Sequence, residues 1–257
     1  MLADEIAVLA IETTTSLMGA AVVVGEEVVA EGFVDKPKVH SYRLLPTCDR
    51  VLREAGVDPR RLSAVAVSIG PGSFTGLRIG CATAQGLAHA WGKRVVPVPT
   101  FAVLVEQARK GGPGGSRAPS IAAVQGRAKA QTVTALYSKG GKELVPPEGR
   151  SIEEFALALK PFAPSTVIAA GDAADLFAEY VESQRKEGLL DIQVVLASEG
   201  DRLPLPGTVG RLAVGMVKQG LSVEPKAAIP LYYRKHQAEV LAARKASEAR
   251  QDEKREL

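Results

Sequence analysis

The sequence predicts an α/β protein built of two similar lobes, and three observations predict it. Short apolar runs alternate with helix-period segments in the order β-β-β-α-β-α-β-α, and the same order begins again after Gly111-Gly112-Pro113-Gly114-Gly115-Ser116. The length, 257 residues with 46% hydrophobic and 24% charged content, suits one large or two modest soluble domains. A repeat of topology without a repeat of sequence points to two homologous lobes facing each other across a cleft. The expected boundaries are 1–110 for an N-terminal lobe, 111–118 for a Gly/Pro linker, 119–234 for a C-terminal lobe and 235–257 for a charged tail, helical or disordered.

In the first half, the runs Ile6–Ile11, Ala20–Val24 and Val28–Phe33 read as a three-stranded meander. Leu44, Leu45, Cys48, Val51, Leu52 and Ala55 then form one apolar helical face that Gly56 terminates, with Pro46 expected to kink the helix or delay its regular start. A buried strand at Ala64–Ile69 runs into Gly70-Pro71-Gly72-Ser73, and helical spacing resumes over Phe74–Trp91. A strand at Val95–Val98 and a helix at Phe101–Ala108 close the first half. The second half offers strands at Ser120–Val124, Gln131–Tyr137 and Glu143–Val145, and a helix at Ser151–Leu159. A strand at Val167–Ala170, a helix at Asp172–Gln184, a strand at Gln193–Leu196 and a helix at Thr208–Gly220 follow.

Composition removes several chemistries. Three His (His40, His89, His236) and two Cys (Cys48, Cys81) are scattered, which leaves no zinc framework, no disulfide framework and no obvious His-based hydrolase. The net charge of +3 sits mostly in residues 234–257, where seven basic residues face five acidic ones, so the body is nearly neutral and carries no dense phosphate-binding face. Asp4 and Glu5 stand where a signal peptide would be basic, and no apolar run reaches the ~20 residues of a membrane helix. The expectation is a cytoplasmic protein without membrane contact.

The strongest local signal is Ile69 to Gly80. Gly70 and Gly72 permit a sharp turn and close approach, and Ser73 or Thr75 can cap a helix whose free N–H groups favour anions. The run matches neither G-x-G-x-x-G, since Thr75 replaces the third Gly, nor the Walker pattern, so it reads either as a tight turn into a packed helix or as an anion or nucleotide site. Gly76, Gly80, Ala84 and Ala88 then recur every four residues as a stripe without bulk, which calls for close packing against another backbone, within the chain or across a subunit interface. Glu12 after the first strand and Gln125 in Val124-Gln125-Gly126-Arg127 hold the positions where a two-lobed nucleotide hydrolase would present carboxylates to Mg²⁺. The second carboxylate is missing, which argues against autonomous ATPase or kinase action. Asp172, after Gly171, reads as a helix cap.

Ile11-Glu12-Thr13-Thr14-Thr15, His40-Ser41-Tyr42-Arg43-Leu44-Leu45-Pro46, Ser68-Ile69-Gly70-Pro71-Gly72-Ser73-Phe74-Thr75-Gly76-Leu77-Arg78-Ile79-Gly80 and Pro230-Leu231-Tyr232-Tyr233-Arg234 resemble the TsaB (YeaZ) family over residues 6 to about 235. The resemblance implies the actin/Hsp70-like (ribonuclease H-like) two-lobed fold. It implies a non-catalytic scaffold and activator in the synthesis of N6-threonylcarbamoyladenosine at position 37 of tRNA, pairing with the metal-dependent transferase TsaD beside TsaE, forming a homodimer when alone, and reaching tRNA through the complex. His40 stands where a TsaD-like His-x-x-x-His would begin and Leu44 where its second ligand would be, so the implied metal site is absent. The implied pairing surface is the two N-terminal-lobe helices, with His40, Leu44, Leu45, Gly76, Arg78, Ile79, Gly80 and Ala84 as its residues. No cofactor is expected within the chain, and ATP or ADP is left a place only at the interface with the partner. The alternatives are a stand-alone phosphotransferase or peptidase of the same fold and a direct tRNA binder.

Overall fold

The computed structural model describes residues 5–35, 40–111, 120–126 and 132–233, without the side chains of residues 35, 40, 41 and 111. Most of the expected linker, Arg127, His236 and the 235–257 tail lie outside the described residues, as does the His40 side chain. The first half comprises β1 (Ala7–Glu12), β2 (Leu17–Val24), β3 (Glu27–Asp35), α1 (His40–Glu54), β4 (Ala64–Gly70), α2 (Phe74–Trp91), β5 (Arg94–Pro99) and α3 (Thr100–Gly111). The second comprises β6 (Ser120–Gln125), β7 (Thr132–Tyr137), β8 (Glu143–Arg150), α4 (Ile152–Ala158), β9 (Ser165–Ala170), α5 (Ala174–Lys186), β10 (Ile192–Leu196) and α6 (Pro206–Lys218). Each half is β-β-β-α-β-α-β-α, as the sequence predicts.

The two sheets have one topology. Their orders, β3-β2-β1-β4-β5 and β10-β9-β6-β7-β8, place the first strand of each half at the centre, antiparallel to the second and parallel to the fourth. Strand alternation then divides each central strand between two apolar layers. On β1, Ala7, Leu9 and Ile11 pack with α1 and α2, while Val8 and Ala10 face the other way; on β6, Ala122 and Val124 pack with α4 and α5, while Ile121 and Ala123 face away.

The two inner faces are covered by exchanged helices. Phe101, Leu104, Val105 and Ala108 of α3, from the first half, pack on β6, β7 and β9. Val209, Ala213 and Val214 of α6, from the second half, pack on β1 and β2. Gly210 lets this helix descend onto the Val23 side chain, where a Cβ would collide. Chain order alone would leave each helix with its own lobe; the structure instead uses each as the cover of the opposite sheet. The segment after α6 also returns to the first lobe. Val223 and Val95 exchange two backbone hydrogen bonds, Ala228 is buried in the α1–α2 layer, and the Leu231 N–H donates to the Ile69 carbonyl at 2.7 Å.

The helix α1 runs through Pro46, which lies on its exposed side, and the Thr47 hydroxyl donates to the Arg43 carbonyl at 2.9 Å. The remaining elements begin and end within a few residues of expectation, except that β8 extends to Arg150.

Candidate functional site

Glu12 ends β1 and is wholly buried. One carboxyl oxygen accepts from the Thr14 N–H and from the Thr14 hydroxyl, each at 2.5 Å. The other accepts from the hydroxyl of Ser68 on β4. Burial pushes this carboxyl up to about 7, against the opposing pull of the hydrogen bonds from Ser68 and Thr14. With no oxygen exposed, Glu12 acts as an anchor that holds the Thr13–Thr15 turn against β4.

That turn receives the glycine loop. The Ser73 N–H donates to the Thr14 carbonyl at 2.7 Å, and a Cβ on Gly72 would stand 2.5 Å from the Thr14 Cβ. Gly70, at φ 127°, occupies backbone space that side chains avoid, and a Cβ there would stand 2.6 Å from the Leu231 carbonyl oxygen. Its N–H donates to the Thr100 hydroxyl at 3.2 Å. Ser73 caps α2, its hydroxyl accepting from the Gly76 N–H at 3.2 Å. Thr75 is exposed. Of the two sequence readings of this loop, the tight turn into a packed helix accounts for both glycines and for Ser73.

The small-residue stripe is taken up inside the chain. Gly76 and Gly80 both lie against Thr13, and Ala84 and Ala88 are buried against the sheet. Leu44 is 1% exposed in the same layer. As pairing-surface residues, Leu44, Gly76, Gly80 and Ala84 are therefore corrected: their side-chain positions face the core of the first lobe, because the helix presses its least bulky edge onto the first hairpin. Leu45 is 53% exposed, Arg78 is exposed and Ile79 is half-buried against the core.

Arg78 belongs to a cluster that sequence reasoning did not assemble. Its guanidinium stacks 4.0 Å from the centre of the Phe74 ring and donates to the Tyr232 hydroxyl at 3.2 Å. Phe74 and Tyr232, 43% and 48% exposed, stand 5.2 Å apart between ring centres. The signal was present in two separate motifs, 69–80 and 230–234, whose meeting depends on the return of the chain after α6. Tyr42 and Leu45 on α1 add exposed apolar surface to the same outer layer.

In the second lobe Gln125 ends β6 as Glu12 ends β1, and it too is buried. Asp172 is not a helix cap: α5 begins after Ala173, and the Asp172 carboxylate accepts from the Gly126 N–H at 2.6 Å, tying the β6 end to the β9 end. Gly171, at φ 113°, lies against the Val124 carbonyl. Cys48 and Cys81 are buried in the first lobe, where burial pushes their thiols up to about 12 and about 11. Among the described residues no group of three or more His, Cys, Asp or Glu is placed to hold a metal ion, and no helix is long and apolar enough to cross a membrane.

A family model described as TsaD, tRNA N6-adenosine threonylcarbamoyltransferase, matches residues 35–243. The chain is 32% identical over 106 residues to the tRNA threonylcarbamoyladenosine biosynthesis protein TsaB of Haemophilus influenzae, covering 41% of this chain and 44% of that protein. It is 36% identical over 106 residues to the protein of that name from Escherichia coli K12, covering 41% and 46%. The matched segment thus spans less than half the length of these relatives. The structure named YeaZ from Pseudomonas aeruginosa superposes with a TM-score of 0.69 at 25% identity, covering 88% of this chain and 99% of that one. An inorganic polyphosphate/ATP-glucomannokinase from Arthrobacter shares the fold at a TM-score of 0.50 and 14% identity, covering 82% of this chain and 99% of that one. The fold is the two-lobed α/β class expected from the repeat, of the actin/Hsp70-like kind that the family resemblance implies.

A magnesium-bound nucleotide in the cleft of this fold calls for carboxylates at the ends of the first strands of both lobes. Here one is an enclosed Glu12 engaged by Thr14 and Ser68, and the other is replaced by Gln125. These residues do not fit such a group.

Proposed function

The chain belongs to the TsaB (YeaZ) family, and from that premise we propose that it is a non-catalytic, activating subunit of the machinery that makes N6-threonylcarbamoyladenosine at position 37 of tRNA. Its partner is a metal-dependent TsaD-type transferase, with a TsaE homologue completing the assembly; tRNA is reached through the complex, and the isolated chain pairs with itself through the same surface. The observation that carries the reading is the outer layer of α1 and α2. Tyr42, Leu45 and Phe74 stand exposed there, and Arg78 is held in place by stacking on the Phe74 ring and donating to the Tyr232 hydroxyl, a composition typical of interface hot spots. Two helices per subunit can supply an interface of standard size, about 1,600 Å² in total.

ATP or ADP belongs, on this proposal, to the junction with the partner, since Glu12 and Gln125 offer no ligand set for it within the chain. The test is reconstitution of tRNA modification from purified TsaD-type and TsaE-type proteins, with and without this chain, read by nucleoside mass spectrometry. Modified adenosine should appear only when the chain is present; equal yields without it overturn the proposal. The competing enzyme reading predicts ATP turnover by the chain alone, lost in Glu12→Ala.

A further inference from the structure

A groove of about 430 Å³ opens where the β7–β8 hairpin faces α3 and the end of the returning C-terminal segment. It lies at the end of β7 that pairs with the start of β6, Tyr137 opposite Ile121, and so at the other end of that strand from Gln125. Its size is that of a small-molecule site. Its walls are apolar at Pro99, Ala102 and Val105, and its charged groups are Glu106, Arg109 and Glu143.

The charges in it are unequal. Glu106 on the α3 wall is already shared between Arg109 at 2.5 Å and Lys110 at 3.2 Å. Glu143 on the hairpin wall has no ion pair among the described residues. Two phenols, Tyr137 and Tyr233, line the groove beside it. Burial pushes both upward, and the negative charge of Glu143 pushes them further in the same direction, so both remain neutral hydroxyls with electron-rich faces. A carboxylate without an ion pair, in a groove whose other carboxylate is already paired and whose two phenols stay neutral, favours positive charge by Coulomb attraction. A metal ion would need more oxygen ligands than one carboxylate and two protonated phenols provide. An apolar-walled groove of this volume instead suits the carbon chain of an organic cation.

We propose that this groove is a binding site for a small organic cation bearing ammonium or guanidinium groups, held by Glu143 alongside Tyr137 and Tyr233. The same chemistry exists in the chain itself, since Arg234 and Lys235 directly follow Tyr233. The proposal commits to a free ligand, and its test separates the two sources. Spermidine is titrated calorimetrically into the full chain, into Glu143→Gln, into the control Glu153→Gln on the outer face of α4, and into the double variant Arg234→Ala with Lys235→Ala, each checked for folding by thermal melting. One saturable site should appear, weakened about tenfold or more by Glu143→Gln and unchanged in the other two variants. Absence of saturable binding, equal binding by Glu143→Gln, or equal loss in Glu153→Gln overturns the site. A gain of about tenfold in the double variant would mean that the chain's own basic residues hold the groove, and it overturns the free-ligand assignment.

Discussion

The Thr13 hydroxyl donates to the Gly76 carbonyl at 2.8 Å, while the Thr13 carbonyl oxygen occupies the place where a Cβ on Gly76 would sit. The first hairpin and α2 are thereby locked backbone against backbone. Through Thr14 the same hairpin holds Gly72 and Ser73, and through Glu12 it is anchored on Ser68. The surface that the proposed partner reads is thus set from beneath by residues the partner never touches.

Gly76→Ala and Gly80→Ala should each destabilise the chain by about 1–3 kcal/mol, the usual cost of overpacking a core contact. Gly86, in the same helix, has nothing within 4 Å of its Cβ position, so Gly86→Ala should stabilise by ~0.5–1 kcal/mol. Chemical denaturation of the three variants checks this; the same sign at all three positions would refute it.

The raised Glu12 carboxyl makes stability depend on pH. The folded chain holds its proton up to about pH 7, whereas the unfolded chain releases it near the ordinary value of 4.5. The contribution of the neutral acid is therefore whole below about pH 4.5 and lost as the pH rises through about 7, a change on the order of 3 kcal/mol. Glu12→Gln should flatten this part of the profile in urea melts; an unchanged slope would place the titration elsewhere.

Gln107 joins the exchanged helices. Its amide donates to the carbonyls of Asp201 and Leu203 at 3.2 and 2.8 Å, and its carbonyl accepts from the Leu205 N–H at 2.9 Å, just before α6. It is 3% exposed, so Gln107→Ala should cost about 2–3 kcal/mol by orphaning backbone groups. Amide hydrogen exchange should rise first over residues 201–218, and uniform protection loss across the chain would contradict this local role.

Arg78→Ala and Phe74→Ala should leave the melting temperature nearly unchanged, because both side chains are exposed, yet weaken capture of a TsaD-type partner about tenfold or more. Leu44→Ala should do the reverse, costing about 2–5 kcal/mol of stability without a selective effect on capture. Co-purification beside thermal melting separates the two classes.

Much of this was legible in the sequence. Apolar periodicity located the repeated β-β-β-α-β-α-β-α order because a strand or helix buried on one face must show that face every second or every third to fourth residue. The stripe Gly76, Gly80, Ala84 and Ala88 announced close packing, and Glu12 announced itself as a carboxylate at a strand end. What periodicity does not carry is the identity of the surface that a face meets. Only the tertiary structure decided that the stripe meets Thr13 and not a partner, that Glu12 is enclosed by Ser68, that α3 and α6 exchange sheets, and that Arg78 meets Tyr232 across 154 positions of sequence. Local spacing determines which side of an element is apolar, whereas its neighbour is chosen by the packing of the whole chain, where distant segments compete for the same buried area.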